Sequence, residues 1–490
     1  EATFKKIGIR KRMNVAEGAQ RFMEMVMNTA GRVEMIMKYG APKMTTDGID
    51  ITIRNNTKGI FQIFENFTMP EYQDFVKYAV ARRARALGEK ENLIPEANIK
   101  SGLALETDKF KTAFDEYQKY NRGLLSFLVE TGIIDEKQKQ NLAKYDYIPF
   151  YRIIEEESYR GGVLFKSDVL GPNVSQVFNN PDAQIKEYRG GKEKIGDLLE
   201  NVFRNTQAFV SSGLKNVAMK KAVNVLKQAE IGTELTQKEA LLAKKDLKRK
   251  VIQYNENVTN KKGKVVNKKI YYDVTDNPHI YASLASMNPR QTAGLFKLME
   301  RLAKIFREGI THAPPFMIAN LIRGEMAALV TVDAPLTPAI DTIKGLNSAL
   351  KESETVQEMK LLSGVGGYAM GDDYRDSAEA IKRQLRMRHR GYKIIDSPQA
   401  VTDLLAAGWG KLTKVGEATE LATREAIYRK LLEQGMSKAD AAYEALNVIN
   451  FNRRGASQTN LGLFMNSLMP LVPFLNARFQ GLYRTFEPMT

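Results

Sequence analysis

The stretch VGEATELATREAIYRKLLEQG, residues 415–435, decides how this chain folds. Glu420 and Arg424 stand four residues apart, so their side chains meet on one face of a helix and support it. Gly435 ends the pattern. Ser437 followed by Asp440 then approximates a capping box and starts a second helix through MSKADAAYEALNVINF. The unit is a helical hairpin running into NFNRRG, residues 450–455.

Working outward, most of the chain repeats this helical signature. Residues 16–39 read as one long helix with Phe22, Met25, Val26, Val33, Ile36 and Met37 near one stripe, stopped by Pro42. A basic helix is expected over 70–87, carrying Arg82, Arg83 and Arg85. Another is expected over 107–131, where Phe110, Phe114, Tyr117, Leu124, Leu125 and Leu128 recur at helical steps and Gly132 caps the end. Helices resume at Ile195, with Ser211, Ser212 and Gly213 as an expected interruption. From Asn288 the chain is again helical, through FKLMERLAKIFREGI, past Pro314 and Pro315, and into FMIANLIRGEMAALVTV.

Two places break the helical period. In DGIDITIRNNTKGIFQIF, residues 47–64, Ile49, Ile51 and Ile53 alternate before turn signals at Asn55-Asn56 and Lys58-Gly59, which predicts a β-hairpin. Residues 251–274 alternate around NKKGK, with Val265, Val266, Ile270, Tyr271 and Tyr272 on the return, and predict a second, basic hairpin. Pro149 keeps YDYIPFYR extended. Residues 159–191 read as an irregular excursion, and residues 359–376 as a glycine-rich hinge. The expected fold is mainly α, an elongated multi-helix assembly with two small β-hairpins. Its expected divisions are 1–100, helical with a hairpin; 101–245, helical with the excursion; 246–287, the basic hairpin and a linker; and 288–490, the C-terminal helical region.

The 490 residues are 43% apolar and 27% charged, a globular composition. There is no cysteine, which excludes disulfides, thiol nucleophiles and Cys–zinc sites together. The three histidines, His279, His312 and His389, lack ligand spacing. Neither a GxxxxGK[ST] phosphate loop nor a GxSxG elbow occurs. GVGGYAMG resembles a phosphate loop in composition only, and Glu155, Glu156 and Glu157 read as a solvated face. The chain is therefore expected to be non-enzymatic and to take no cofactor or metal.

Charge points elsewhere. Seventy-three Lys and Arg against 57 Asp and Glu leave +16, which favours a polyanionic neighbour such as nucleic acid or an anionic membrane face. Beyond KKDLKRK, the two clusters of interest are NKKGKVVNKK and RQLRMRHRGYK. Lys261, Lys262 and Lys264 in the first, and Arg383, Arg386 and Arg390 on one helical face of the second, are the candidate phosphate-facing residues. No groove-reading motif accompanies them, so contacts would reach the backbone of DNA and not its bases. A solvated basic surface is the bland alternative.

Near the end, LFMNSLMPLVPFLNARFQG, residues 463–481, is densely apolar. It is shorter than the roughly 20 residues a membrane-crossing helix needs. Pro470 and Pro473 break regular helix as well. Phe464, Leu468, Leu471, Val472, Phe474 and Arg478 form a candidate assembly or membrane segment.

Five pieces carry a resemblance: YDYIPFYR, KKIYYDVTDNPHIYASLASM, THAPPFMIANLIRGEM, the hairpin from EATELATREAIYRK to NFNRRG, and PLVPFLNARFQGLYR. In this order they resemble the internal virion, or DNA-ejection, proteins of short-tailed phages, whose C-terminal helical region also occurs in large polyvalent phage proteins. They span roughly residues 114–484. The family often has an acid directly after the Arg of the ANLIR segment, whereas here Gly324 intervenes before Glu325. The resemblance implies a protein packed inside the capsid as a homo-oligomeric core, with other ejection proteins on the portal. It would leave with the genome and build a conduit for phage DNA across the host envelope, where it meets the host membrane. Two alternatives stand beside it. One is a non-catalytic scaffold region of a giant phage protein, with an RNA polymerase or lytic transglycosylase domain elsewhere. The other is a sequence-independent nucleic-acid-binding protein.

Overall fold

The computed structural model describes residues 22–23, 25–26, 28–45, 50–87, 94–143, 197–243, 249–285, 314–366, 374–391 and 397–448. The described chain is mainly α-helical with two small antiparallel sheets. The segment YDYIPFYR, the irregular excursion, FKLMERLAKIFREGI, NFNRRG and the apolar stretch with Phe464, Leu468, Leu471, Val472, Phe474 and Arg478 all lie outside the described residues.

Helix α1 spans Ala30–Tyr39. The single helix expected over 16–39 is interrupted before it. Asn28 and Thr29 are non-helical, and the Gly31 N–H donates to the Gly364 carbonyl at 3.2 Å. Strands β1 (Pro42–Met44) and β2 (Ile51–Ile53) pair antiparallel, Met44 opposite Ile51. This corrects the first predicted hairpin, because β2 pairs with the strand before it and not with one after Asn55-Asn56. Residues after that turn form the short helix α2 (Ile60–Ile63). The reason is spacing. Ile60, Ile63, Phe64 and Phe67 recur at helical steps and are all buried, whereas a return strand needs alternation.

Helices α3 (Met69–Leu87), α4 (Glu96–Leu103), α5 (Asp108–Glu130) and α6 (Glu136–Ala143) follow. Thr107 caps α5 by accepting from the Phe110 N–H at 3.1 Å. Gly132, at φ 78°, closes the other end as expected, with the Ile133 N–H reaching back to the Leu128 carbonyl at 2.9 Å. Phe64, Phe67, Tyr72, Phe75 and Phe110 pack mostly edge to face, with Phe64 and Phe75 centroids 5.2 Å apart. Helix α7 (Leu198–Gln228) runs unbroken through Ser211, Ser212 and Gly213, which corrects the expected interruption. A Cβ at Gly213 would stand 2.7 Å from the Phe127 ring, so this glycine serves close packing of α7 on α5.

Strand β3 (Thr233–Leu235), helix α8 (Gln237–Ala243), strand β4 (Val251–Thr259) and strand β5 (Val265–Asp273) come next. The second predicted hairpin is present as β4–β5, and β3 adds a third strand, giving the order β3-β5-β4. Helices α9 (Pro278–Ala285), α10 (Pro314–Thr331), α11 (Ile340–Lys351), α12 (Glu354–Ser363) and α13 (Tyr374–Arg390) lead to α14 (Pro398–Glu433) and α15 (Lys438–Asn447). The glycine-rich stretch therefore begins inside α12. Its described glycines are packed, since a Cβ at Gly364 would collide with the Asn28 carbonyl. The predicted helical hairpin is α14–α15. Gly435 sits at φ 79°, and Ser437 accepts from the Asp440 N–H at 3.2 Å.

One apolar core gathers residues from Phe22 to Leu385 around α3, α5 and α7. A second joins α12, the C-terminal half of α14, and α15. A buried ionic network ties α1 to the second core. Lys360 reaches Glu34 and, at 2.8 Å, Glu417, while Lys38 bridges Glu34 at 2.6 Å and Glu352 at 2.7 Å. Burial alone would lower the Lys360 pKa, but Glu417 and Glu34 outweigh it and raise it. The Arg32 guanidinium is spent on the backbone carbonyls of Met25, Asn28, Leu361 and Leu362. Burial pulls its pKa down to about 9.

Candidate interaction surfaces

The basic hairpin is anchored at its base and bare at its tip. Asn216 on α7 donates to the carbonyls of Thr131 and Asn255, each at 2.8 Å, and accepts from the Asn255 N–H at 2.7 Å. Asn257 donates to the Ile134 carbonyl at 2.9 Å and Asn267 to the Gly132 carbonyl at 2.8 Å. These side-chain amides bind the ribbon to the turn that ends α5. Beyond them, Asn260 shapes the tip. Its side-chain oxygen accepts from the Lys262 and Lys264 N–H groups at 2.9 and 3.0 Å, and Gly263 supplies the left-handed turn at φ 73°.

Lys261, Lys262 and Lys264 are exposed together at this tip, with Lys268 exposed on the same ribbon. Residues 257–269 contain five lysines and no acid. The structure thus brings this predicted trio together and turns it outward. Val265 and Val266 are exposed beside it.

The arginine trio is different. Arg386, Arg390 and Arg383 lie on α13 as the spacing predicts, but the first two are occupied internally. Arg386 grips Asp403 of α14 with two hydrogen bonds, at 2.7 and 3.0 Å, and also bridges Glu379. Arg390 donates to the same carboxylate at 2.8 Å, and Gln399 adds a bond at 3.2 Å. Burial alone would raise the Asp403 pKa, but these donors hold it well below the usual carboxylate range. Arg386 and Arg390 therefore fasten α14 to α13, which corrects their reading as phosphate-facing. Arg383 is half-buried and pairs with no described acid.

Sequence reasoning missed a third surface. Helix α10 packs along α14, burying Met317, Gly324 and Ala328. Its opposite stripe, Ile318, Ile322, Met326 and Leu329, is 49–64% exposed. The N-terminal half of α14 likewise exposes Val401, Leu404, Leu405, Leu412 and Val415, at 41–69%. Exposed apolar side chains gathered along a helix face in this way commonly mark a contact with other protein or with lipid. The signal was in the sequence as the low charge of FMIANLIRGEMAALVTV and the regular spacing of the α14 residues.

Among the described residues, no group of three or more His, Asp or Glu side chains could hold a metal ion, and no helix is long and apolar enough to cross a membrane. His389 is exposed on α13. Compared with protein-family models, with curated proteins and with solved structures, the chain matches none.

Proposed function

We propose that this chain is an internal virion protein of a short-tailed phage, ejected with the genome, that builds an oligomeric core and channel component for DNA translocation across the host envelope. The observation that carries this reading is the pair of exposed apolar stripes on α10 and on the N-terminal half of α14, which no described element covers. The five sequence pieces quoted above supply the family resemblance. The work is structural, with no catalytic step and no cofactor. Its partners are further copies of the chain, other core proteins, the portal, phage DNA touched through its backbone, and the host membrane after ejection. Electron micrographs of the purified chain, in buffer and in detergent, test it. Closed rings or tubes are expected, and single copies under both conditions would contradict it.

The basic tip favours a second reading, a sequence-independent nucleic-acid-binding protein. Salt-dependent DNA binding by a single copy, with no assembly, would select that reading. Under either one, K261E/K262E/K264E should flatten the slope of log affinity against log salt by up to about three phosphate contacts' worth.

A further inference from the structure

We propose that the N-terminal half of α14 is a self-pairing surface, through which two copies of this chain join as an antiparallel helix pair about a two-fold axis at Gly408. This rests on the assembly reading above and adds one contact within it, with its direction and residues; a two-fold pair closes at two copies, so a ring or tube needs a further contact between pairs.

The first support is spacing. Val401, Leu405, Gly408, Leu412 and Val415 are separated by four, three, four and three residues. That is the repeat by which one helix packs along another. The four side chains are 42%, 69%, 48% and 41% exposed, and Thr402 and Lys411 border the seam. A bordered seam of this kind fits a helix better than it fits a flat lipid surface.

The second support is symmetry. The seam reads Val, Leu, Gly, Leu, Val from either end. A two-fold interface must be self-complementary. Antiparallel pairing centred on Gly408 sets Val401 of one copy against Val415 of the other, and Leu404 and Leu405 against Leu412.

The third support is the glycine itself. A glycine inside a helix is destabilising relative to alanine. At Gly213 close packing within the chain explains it, but a Cβ built at Gly408 or Gly410 meets no described atom within 4 Å. The missing side chain has its use if a second backbone approaches there.

Charge selects the direction. Lys411 and Lys414 lie in the same half of the seam. Parallel pairing would bring each lysine to its own copy, and like charges at close range repel. Antiparallel pairing places them beside Leu405 and Thr402 of the second copy.

Because the chain has no cysteine, engineered thiols test this without background. V401C, V415C and the double variant V401C/V415C are oxidised and run on non-reducing gels, with circular dichroism to verify folding. A disulfide needs Cα atoms within about 7 Å. Positions 401 and 415 lie roughly 21 Å apart along the helix, so neither single variant should link to itself in the antiparallel pair. The double variant, and an equal mixture of the two singles, should give covalent dimers. Dimers from each single variant alone would overturn the antiparallel arrangement. No cross-linking, while the unmodified chain sediments above single-chain mass, would overturn the seam and leave the assembly reading standing. A chain that stays at single-chain mass overturns both. Capture of the uncross-linked protein by uncharged phosphatidylcholine vesicles, abolished in L405D/L412D, would assign the seam to lipid and overturn the pairing.

Discussion

The two halves of α14 are one continuous helix with opposite surroundings. In the C-terminal half, Ala418, Leu421, Ala422, Ala426, Ile427, Tyr428 and Leu431 are each 3% exposed or less, packed on α11, α12 and α15. A Cβ at Gly345 of α11 would stand 2.1 Å from the Ala422 carbonyl, which shows how closely the backbones approach. In the N-terminal half Val401, Leu404, Leu405, Leu412 and Val415 face outward, and the fastening to α13 is ionic, through Asp403. Both halves have a helical pattern and a comparable supply of apolar side chains. What separates them is whether the other described elements provide a partner. A stripe of apolar residues thus fixes a helix and an orientation, but not whether its complement lies in the same molecule.

The largest expected effect falls on the ionic fastening. Asp403→Ala leaves Arg386 and Arg390 partly buried without their carboxylate, and breaking a buried pair in this way costs about 3–5 kcal/mol. Urea denaturation measures it. The pH dependence has a definite sign. The folded-state pKa of Asp403 is depressed, so its contribution is present above the ordinary carboxylate value and is lost as pH falls below about 3.9. The intact chain should therefore lose stability more steeply on that acid side than D403A. Equal acid-side slopes would mean that the carboxylate is not held by the two arginines.

Next in size is the contrast between the halves. Ile427→Ala, at a fully buried position, should cost about 2–5 kcal/mol. Leu405→Ala, at a 69% exposed position, should change the stability of a single copy by no more than about 0.5 kcal/mol. A large loss from L405A in dilute, unassociated protein would place the N-terminal half in the chain's own core.

The smallest effect concerns the two mid-helix glycines. Gly408→Ala should stabilise the folded single chain by about 0.5–1 kcal/mol, because alanine restricts the unfolded chain and meets nothing in the fold. Gly213→Ala should destabilise it by about 1–3 kcal/mol through overpacking against Phe127 and Thr131. Thermal melts of both variants separate them by sign.

Much of this fold was legible in the sequence where the signals were local. Ser437, Gly435 and the Glu420–Arg424 pair marked α14–α15, and the alternation through Ile270 and Tyr272 marked β5. The cap at Gly132 was equally plain. Elements fixed by distant contacts were not legible. Strands β1 and β3 are three residues each, too short to show a period, and β2 took the partner that the fold placed beside it. The arginine cluster was placed on the correct face of α13, but its partner Asp403 stands on the next helix, and one-dimensional spacing does not show that meeting. The lysine tip was legible because, among the described residues, no acid pairs with Lys261, Lys262 or Lys264. The seam on α14 was present in the spacing, but Gly408 and Gly410 interrupt its apolar pattern.

The central claim is that the uncovered half of α14 joins copies of this chain. Sedimentation velocity over a range of concentrations, on the intact chain and on L405D/L412D, tests it most directly. Through this contact the intact chain should move from single-chain toward two-chain mass as concentration rises, while the variant keeps its helical content and does not form that pair. An intact chain that remains single at every concentration, or a variant that assembles to the same extent, would contradict the claim.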